Sequence, residues 1–248
     1  MNIPPPMKGK LSSYIGVDDF VALVQDGIRI NFHIKQRNLE IRDIFRTVKK
    51  CRKIVSDRLG HMLENIDIDI FDSMGEMRKG GRSRSRYASW IAGIFDGKIR
   101  VIAEAEDEDP VALDIILAHE IVHLAIHEMS KGRCPYWINE GMAICLSQEL
   151  PEEYLSRLQA AIKKDAFLPL EVLENPLPSS ADEAVRQLVY AQCCSMTEYF
   201  AATYGWDRLS TMVSCSHKRK ASSLLSDISL NYYLLEIGWK RWMSGCRA

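Results

Sequence analysis

The stretch "ILAHEIVHLAIHE", residues 116–128, contains two histidines four positions apart, with a glutamate directly after the first. An α-helix completes one turn in about 3.6 residues, so His119 and His123 lie on one face and can direct two imidazoles at one ion. Glu120 is rotated by roughly 100° from His119. From there its carboxylate does not bind the ion but can take a proton from a neighbouring water. The spacing predicts a zinc site in which ligands and base are separate residues.

The identity of a third ligand decides whether this helix can hold zinc, because a zinc hydrolase uses three protein ligands and one open position. The candidates downstream are His127, Glu128, Cys134 and Glu140. His127 follows on the same helix, and one helix alone gives poor tetrahedral angles, while Cys134 falls in a predicted turn. Glu140 belongs to "WINEGMA", residues 137–143, whose apolar surroundings are unusual for a solvated glutamate. This segment predicts a second helix, which can approach the ion from another direction.

The first part of the chain changes its hydrophobic period from two to about 3.6 and back. We expect strands at "IRINFHI" and "IDIDIF" on either side of a helix, and then a hairpin of "SWIAGIF" and "KIRVIA" around the turn dipeptide Asp96-Gly97. The polar segment 78–86 is expected to be a solvated loop despite its five basic residues. The hairpin strand Lys98–Ala103 is expected to offer a sheet edge for an extended substrate.

Helical patterns dominate after Asp109, which is expected to cap a helix from about Val111 to Met129 with Pro110 in its first turn. Further helices are expected from about residue 135 to Pro151, over 152–164, over about 181–204 and in two or three short segments near the end. The fold class is therefore α+β. A small mixed-sheet and helix lobe, about 15–130, is followed by an all-helical lobe, about 131–248, and the HEIVH helix lies at their junction. We expect the two lobes to form a single domain.

Composition excludes several classes of protein. The formal net charge is −1, so no basic excess suggests nucleic acid as a partner. No apolar run approaches the roughly 20 residues of a membrane-spanning helix, and no membrane association is expected. The seven scattered cysteines include the adjacent pair Cys193 and Cys194, which indicates reduced thiols. We therefore expect a cytoplasmic protein.

"HEIVH" followed by "WINEGMA", with Glu140 seventeen positions after His123, resembles the gluzincin zinc peptidases. The resemblance is closest to the alanyl-aminopeptidase type and the smaller peptidase MA-like family. It implies a zincin-like fold, a Zn²⁺ cofactor and Glu140 as the third zinc ligand. The segment "LVYAQCCSMTEYF" is similar to the tyrosine-bearing helix of these families, which implies Tyr190 as the donor to the carbonyl oxygen, with Tyr199 and Tyr204 as rivals. The glycine-rich exopeptidase motif is missing, so aminopeptidase specificity is not implied.

The function implied is zinc-dependent hydrolysis of a peptide or protein substrate, in which Glu120 takes a proton from the metal-activated water and passes it to the leaving amine. Two alternatives remain open at this point. The first alternative is a catalytically silent interaction domain with a zincin fold. The second is a zinc hydrolase of a non-peptide amide. The sequence does not identify the oligomeric state.

Overall fold

The structure of the chain is a computed structural model. It describes residues 12–15, 20–33, 41–73, 75–77, 93–103, 112–148, 150, 152–178 and 180–245. The chain divides into two compact units, one made of Met1–Lys53 and Met62–Leu124, the other of Ile54–His61 and Ala125–Ala248. The segment 78–86, Asp109, Pro110 and Val111 lie outside the described residues, so the structure does not address the expectations for them.

The first unit contains a six-stranded mixed sheet. Its strands are β1 (Ser12–Ile15), β2 (Phe20–Gln25), β3 (Ile28–His33), β4 (Ile66–Phe71), β5 (Gly93–Phe95) and β6 (Ile99–Ile102), in the spatial order β1-β2-β3-β4-β6-β5. The pairs β1–β2, β2–β3 and β5–β6 are antiparallel, whereas β3–β4 and β4–β6 are parallel. Helix α1 (Ile41–Leu59) connects the parallel strands β3 and β4.

Apolar and polar side chains alternate along β3 and β4, which explains why the two strands pair in one register. Ile28 pairs with Ile66 and Ile30 with Ile68, and all four side chains are buried. Each buried isoleucine contributes about 2 kcal/mol of hydrophobic stabilisation. A shift by one residue would move this whole apolar set to the opposite face, where Asn31 now donates hydrogen bonds to the carboxylates that flank Ile68 in sequence.

The structure confirms the predicted strands β3 and β4, helix α1 and the hairpin at Asp96-Gly97. Strands β1 and β2 were not predicted. The expectation that Lys98–Ala103 offers a sheet edge is wrong, because β6 lies between β4 and β5 and its two sides are already paired. Of the strands described on this side of the sheet, β5 is the one at the edge.

The remaining helices begin with α2, which contributes its first part to the first unit and its last part to the second. They are α2 (Leu113–Ser130), α3 (Tyr136–Ser147), α4 (Glu152–Lys163), α5 (Glu183–Tyr204), α6 (Trp206–Cys215), α7 (Ala221–Ser226) and α8 (Tyr232–Gly245), with a 3-10 turn at Val172–Glu174. The fold is α+β, as predicted. Helix α3 ends earlier than predicted, because Gln148 adopts the left-handed conformation before Pro151 is reached.

Two further features concern the helices. Helix α5 begins where Asp182 accepts a hydrogen bond from the backbone N–H of Ala184 at 2.7 Å, which satisfies one of the free donors of the first turn. Of the helices in the described part of the chain, none has both the length and the apolar character needed to cross a bilayer.

Gly27 provides a test of the hairpin between β2 and β3. Its φ is +76°, and a Cβ atom there would overlap the carbonyl oxygen of Glu64. Gly60 is a matched control, because its φ is +64° but its surroundings are open. We expect Gly60→Ala to lower the free energy of unfolding by about 1 kcal/mol, the cost of the left-handed conformation. Gly27→Ala is expected to cost about 3 kcal/mol in urea unfolding, since it adds a steric overlap. Equal losses would contradict the described packing.

Candidate metal centre

The two histidines of α2 converge as their spacing predicts. The Nε2 atoms of His119 and His123 lie 2.8 Å apart, and the ring planes meet at 75° with centroids 4.5 Å apart. Both residues are half-buried. Two imidazoles whose Nε2 atoms meet at one point place two lone pairs where one cation can accept both, once each ring carries its proton on Nδ1.

Glu140 supplies the third potential ligand atom. It lies on α3, and its carboxylate belongs to one group with the histidines, in which the ligand atoms are all within 4.8 Å of one another. Two nitrogens and one carboxylate oxygen are a donor set that zinc accepts with a fourth position open. The geometry therefore fits a metal ion, and the assignment of His119, His123 and Glu140 as its ligands stays a prediction.

The predicted base, Glu120, lies in a tight environment of the first unit. It is 5% exposed. An added Cβ on Gly93, in the edge strand β5, would lie 2.9 Å from its Oε1 atom and 2.5 Å from Cγ2 of Ile116. Sequence reasoning missed Gly93, whose only signal was a glycine inside a strand pattern, a feature that marks the close approach of another group. The edge strand therefore passes directly beside the candidate base.

Tyr136 is a second residue that sequence reasoning missed. It begins α3, four positions before Glu140, so both side chains lie on one face of the helix. Burial raises the pKa of Tyr136 strongly, and the nearby charge of Glu140 and a side-chain hydrogen bond with Tyr190 raise it further. Tyr136 therefore lies near both Glu140 and Tyr190, the residue predicted to assist the carbonyl oxygen. The i,i+4 spacing to Glu140 was the available signal.

The rival tyrosines occupy an aromatic cluster. The ring of Tyr199 packs against Tyr204 with centroids 6.2 Å apart and against Trp242 at 6.0 Å, while its hydroxyl lies against Gly238. Burial raises the pKa of Tyr199 to about 12. The aromatic packing of Tyr199 and Tyr204 favours Tyr190 over them as the donor.

The three rejected ligand candidates have other environments. His127 is exposed, and Nε2 of His61 lies 2.7 Å from the Glu128 carboxylate. Cys134 follows the turn after α2, and burial raises the pKa of its thiol strongly. Among the described residues, none of the three belongs to a group of three potential metal ligands.

Gly141 allows the helix that carries Glu140 to approach α5 closely. A Cβ atom at this position would overlap the Thr197 hydroxyl and the backbone carbonyl of Cys193. Glycine in a helix costs about 1 kcal/mol relative to alanine. The close packing of α3 against α5 offsets that cost. A larger residue would force α3 away from α5 and displace the Glu140 carboxylate with it.

Comparison with known proteins gives one family. The family model described as the Peptidase MA superfamily matches residues 54–244 of the chain. No curated protein matches.

Substitution of Gly141 tests the close contact of α3 and α5. We expect Gly141→Ala to lower the free energy of unfolding by about 3 kcal/mol, because the steric overlap outweighs the gain in helix propensity. Gly245 is the control, since it ends helix α8 and has open space around its Cβ position. Gly245→Ala should be neutral or stabilise by up to about 1 kcal/mol. Chemical unfolding of both variants measures this, and a stable Gly141→Ala protein would contradict the contact.

Proposed function

The chain belongs to the Peptidase MA superfamily, and we propose that it is a zinc-dependent peptidase of the gluzincin type, related to the alanyl-aminopeptidase catalytic domain. The family is generally metal-dependent. The observation that carries the proposal is the convergence of His119, His123 and Glu140, whose ligand atoms lie within 4.8 Å of one another. The match runs through residues of both compact units, which supports one catalytic domain.

Zinc is the metal that this donor set fits best. Two imidazole nitrogens and one carboxylate are typical of catalytic zinc, whereas magnesium and calcium prefer oxygen ligands. A zinc ion held by His119, His123 and Glu140 would supply Lewis acidity, which lowers the pKa of a water and polarises a carbonyl. We expect the half-buried positions of all three side chains to limit, without preventing, the access of water.

Glu120 is proposed to move the proton. It follows His119 directly and is rotated from it by about 100° on the helix, so its carboxylate lies beside the ligands. The carboxylate accepts a proton from the attacking water and gives it to the leaving amine nitrogen. Its burial beside Gly93 holds the carboxylate in one place, which favours proton transfer because the group needs no reorientation.

The substrate is proposed to be a peptide or protein segment bound in extended form. Negative charge develops on the carbonyl oxygen during attack, and the Tyr190 hydroxyl is the proposed donor to it. The side-chain hydrogen bond between Tyr136 and Tyr190 supports this role, because Tyr136 itself lies near Glu140. Strand β5 lies beside Glu120 at the edge of the described sheet, and an edge strand suits pairing with an extended substrate.

The decisive experiment compares metal content and peptide cleavage in three purified proteins. The wild type should bind zinc and cleave members of a peptide library. Glu120→Gln should retain zinc but lose about 10³-fold in kcat, because the amide cannot accept the proton. His123→Ala should lose zinc from this site, because only two of its three ligands remain.

Glu128→Gln is the matched control for that experiment, since Glu128 is an exposed glutamate on the same helix and pairs with His61. Its zinc content and kcat should equal those of the wild type. A wild-type protein that binds no zinc would refute the proposed metal. Equal cleavage by wild type and Glu120→Gln would refute the proposed base and leave metal binding intact.

Replacing the proposed donor tests the role of Tyr190. Tyr190→Phe should lower kcat about 10²-fold with little change in KM, because the hydroxyl acts on charge that develops in the transition state. Tyr199→Phe, from the aromatic cluster, should keep the wild-type kcat. Steady-state kinetics on a cleaved peptide distinguishes them. A loss of kcat in Tyr136→Phe together with a normal Tyr190→Phe would assign the donor to Tyr136 and show the present assignment wrong.

A further inference from the structure

A second group of potential metal ligands lies on helices α3 and α5. The Sγ atoms of Cys145 and Cys194 are 3.2 Å apart, and the Cys145 thiol donates a hydrogen bond to the Cys194 carbonyl at 3.3 Å. Glu198 follows Cys194 by one helical turn, so both side chains lie on one face of α5. The two sulfurs and a carboxylate oxygen are within 4.8 Å of one another.

We propose that Cys145, Cys194 and Glu198 form a second metal site, which binds a thiophilic divalent cation such as zinc. Zinc–sulfur bonds are about 2.3 Å long, so two thiolates on one zinc ion lie roughly 3.7 Å apart. The observed 3.2 Å is close to that separation. Two thiolates and one carboxylate select zinc over magnesium and calcium, which favour oxygen ligands alone.

The burial of the three residues shields the site from water on one side and leaves it accessible to a cation on the other. Cys194 is buried, whereas Cys145 is half-buried and Glu198 reaches solvent. A cation can therefore enter from the side of the carboxylate, and a water can complete the fourth position. The hydrogen bond with Cys194 and burial raise the pKa of the Cys145 thiol well above its ordinary value. A cation replaces the thiol protons when it binds.

The position of this site gives it a structural role. Cys145 lies five residues after Glu140 on α3, and Cys194 lies four residues after Tyr190 on α5. A cation bound to both thiolates joins the two helices one turn beyond the close contact at Gly141. We expect it to hold Glu140 and Tyr190 at a fixed separation. The site stands on its own geometry and does not depend on the proposed peptidase activity.

Zinc stoichiometry after reconstitution, in the presence of a phosphine reductant, tests the proposal. The wild type should bind two zinc ions per chain. His119→Ala/His123→Ala and Cys145→Ser/Cys194→Ser should each bind one, and the fourfold variant none. Cys215→Ser is the control, because its thiol lies on α6 outside the group, and it should bind two.

The outcomes separate the two sites. A single zinc ion that is lost with the histidines and kept in Cys145→Ser/Cys194→Ser overturns the thiol site and leaves the proposed function standing. A single zinc ion that is lost with the cysteines and kept in the histidine variant supports the thiol site and refutes the proposed zinc peptidase. Circular dichroism of each metal-free variant establishes that it folds.

Cobalt substitution provides a second measurement, whose result does not depend on whether a cysteine variant folds. Co²⁺ bound to thiolates shows an intense charge-transfer band in the near ultraviolet, whereas Co²⁺ bound to two histidines and a glutamate does not. The band should appear in the wild type and persist in His119→Ala/His123→Ala. Glu198→Gln should keep the band but weaken Co²⁺ affinity at least tenfold, because one of three ligands is lost. A histidine variant without the band would show that Cys145 and Cys194 are only packed thiols.

Discussion

The candidate centre depends on two imidazole nitrogens held 2.8 Å apart by one turn of α2. A single helix presents ligands from one side only, so these nitrogens cannot complete a tetrahedral site with a further residue of the same helix. His127 shows this directly, because it is exposed although it continues the spacing of the other two. A second helix is therefore required, and the short turn after α2 brings Glu140 to the same point.

That requirement explains the packing of α3. The backbone that carries Glu140 must lie close to its neighbour α5, and Gly141 is the residue that permits the approach. A glycine in a helix costs about 1 kcal/mol, which the contact with Cys193 and Thr197 offsets. Tyr136, one turn before Glu140, then meets Tyr190 of α5 in a side-chain hydrogen bond. One close helix contact therefore sets the positions of a proposed ligand and of the proposed donor.

Local periodicity predicted much of this structure, and contacts between distant segments account for what it missed. Strands β3 and β4 and helix α1 follow from apolar spacing alone, and the ligand group follows from two short motifs. The hairpin of β2 and β3 was missed although Asp26-Gly27, both at positive φ, is a strong turn signal. The edge strand was misassigned because a hairpin's sequence does not say which of its strands pairs with β4. Gly93 and Tyr136 were missed for the same reason, since their partners are set by tertiary packing.

The arrangement also explains why two adjacent residues of α2 have such different environments. His119 is on the face that meets His123, whereas the rotation of about 100° to the next residue directs Glu120 toward Gly93 of strand β5. A carboxylate on the metal-binding face would compete with the water for the open position. Against Gly93 it is instead fixed beside β5, the edge strand on this side of the described sheet. The proposed base and an extended substrate bound to β5 would therefore lie on the same side of the site. Gly93 allows Glu120 and the strand to be so close.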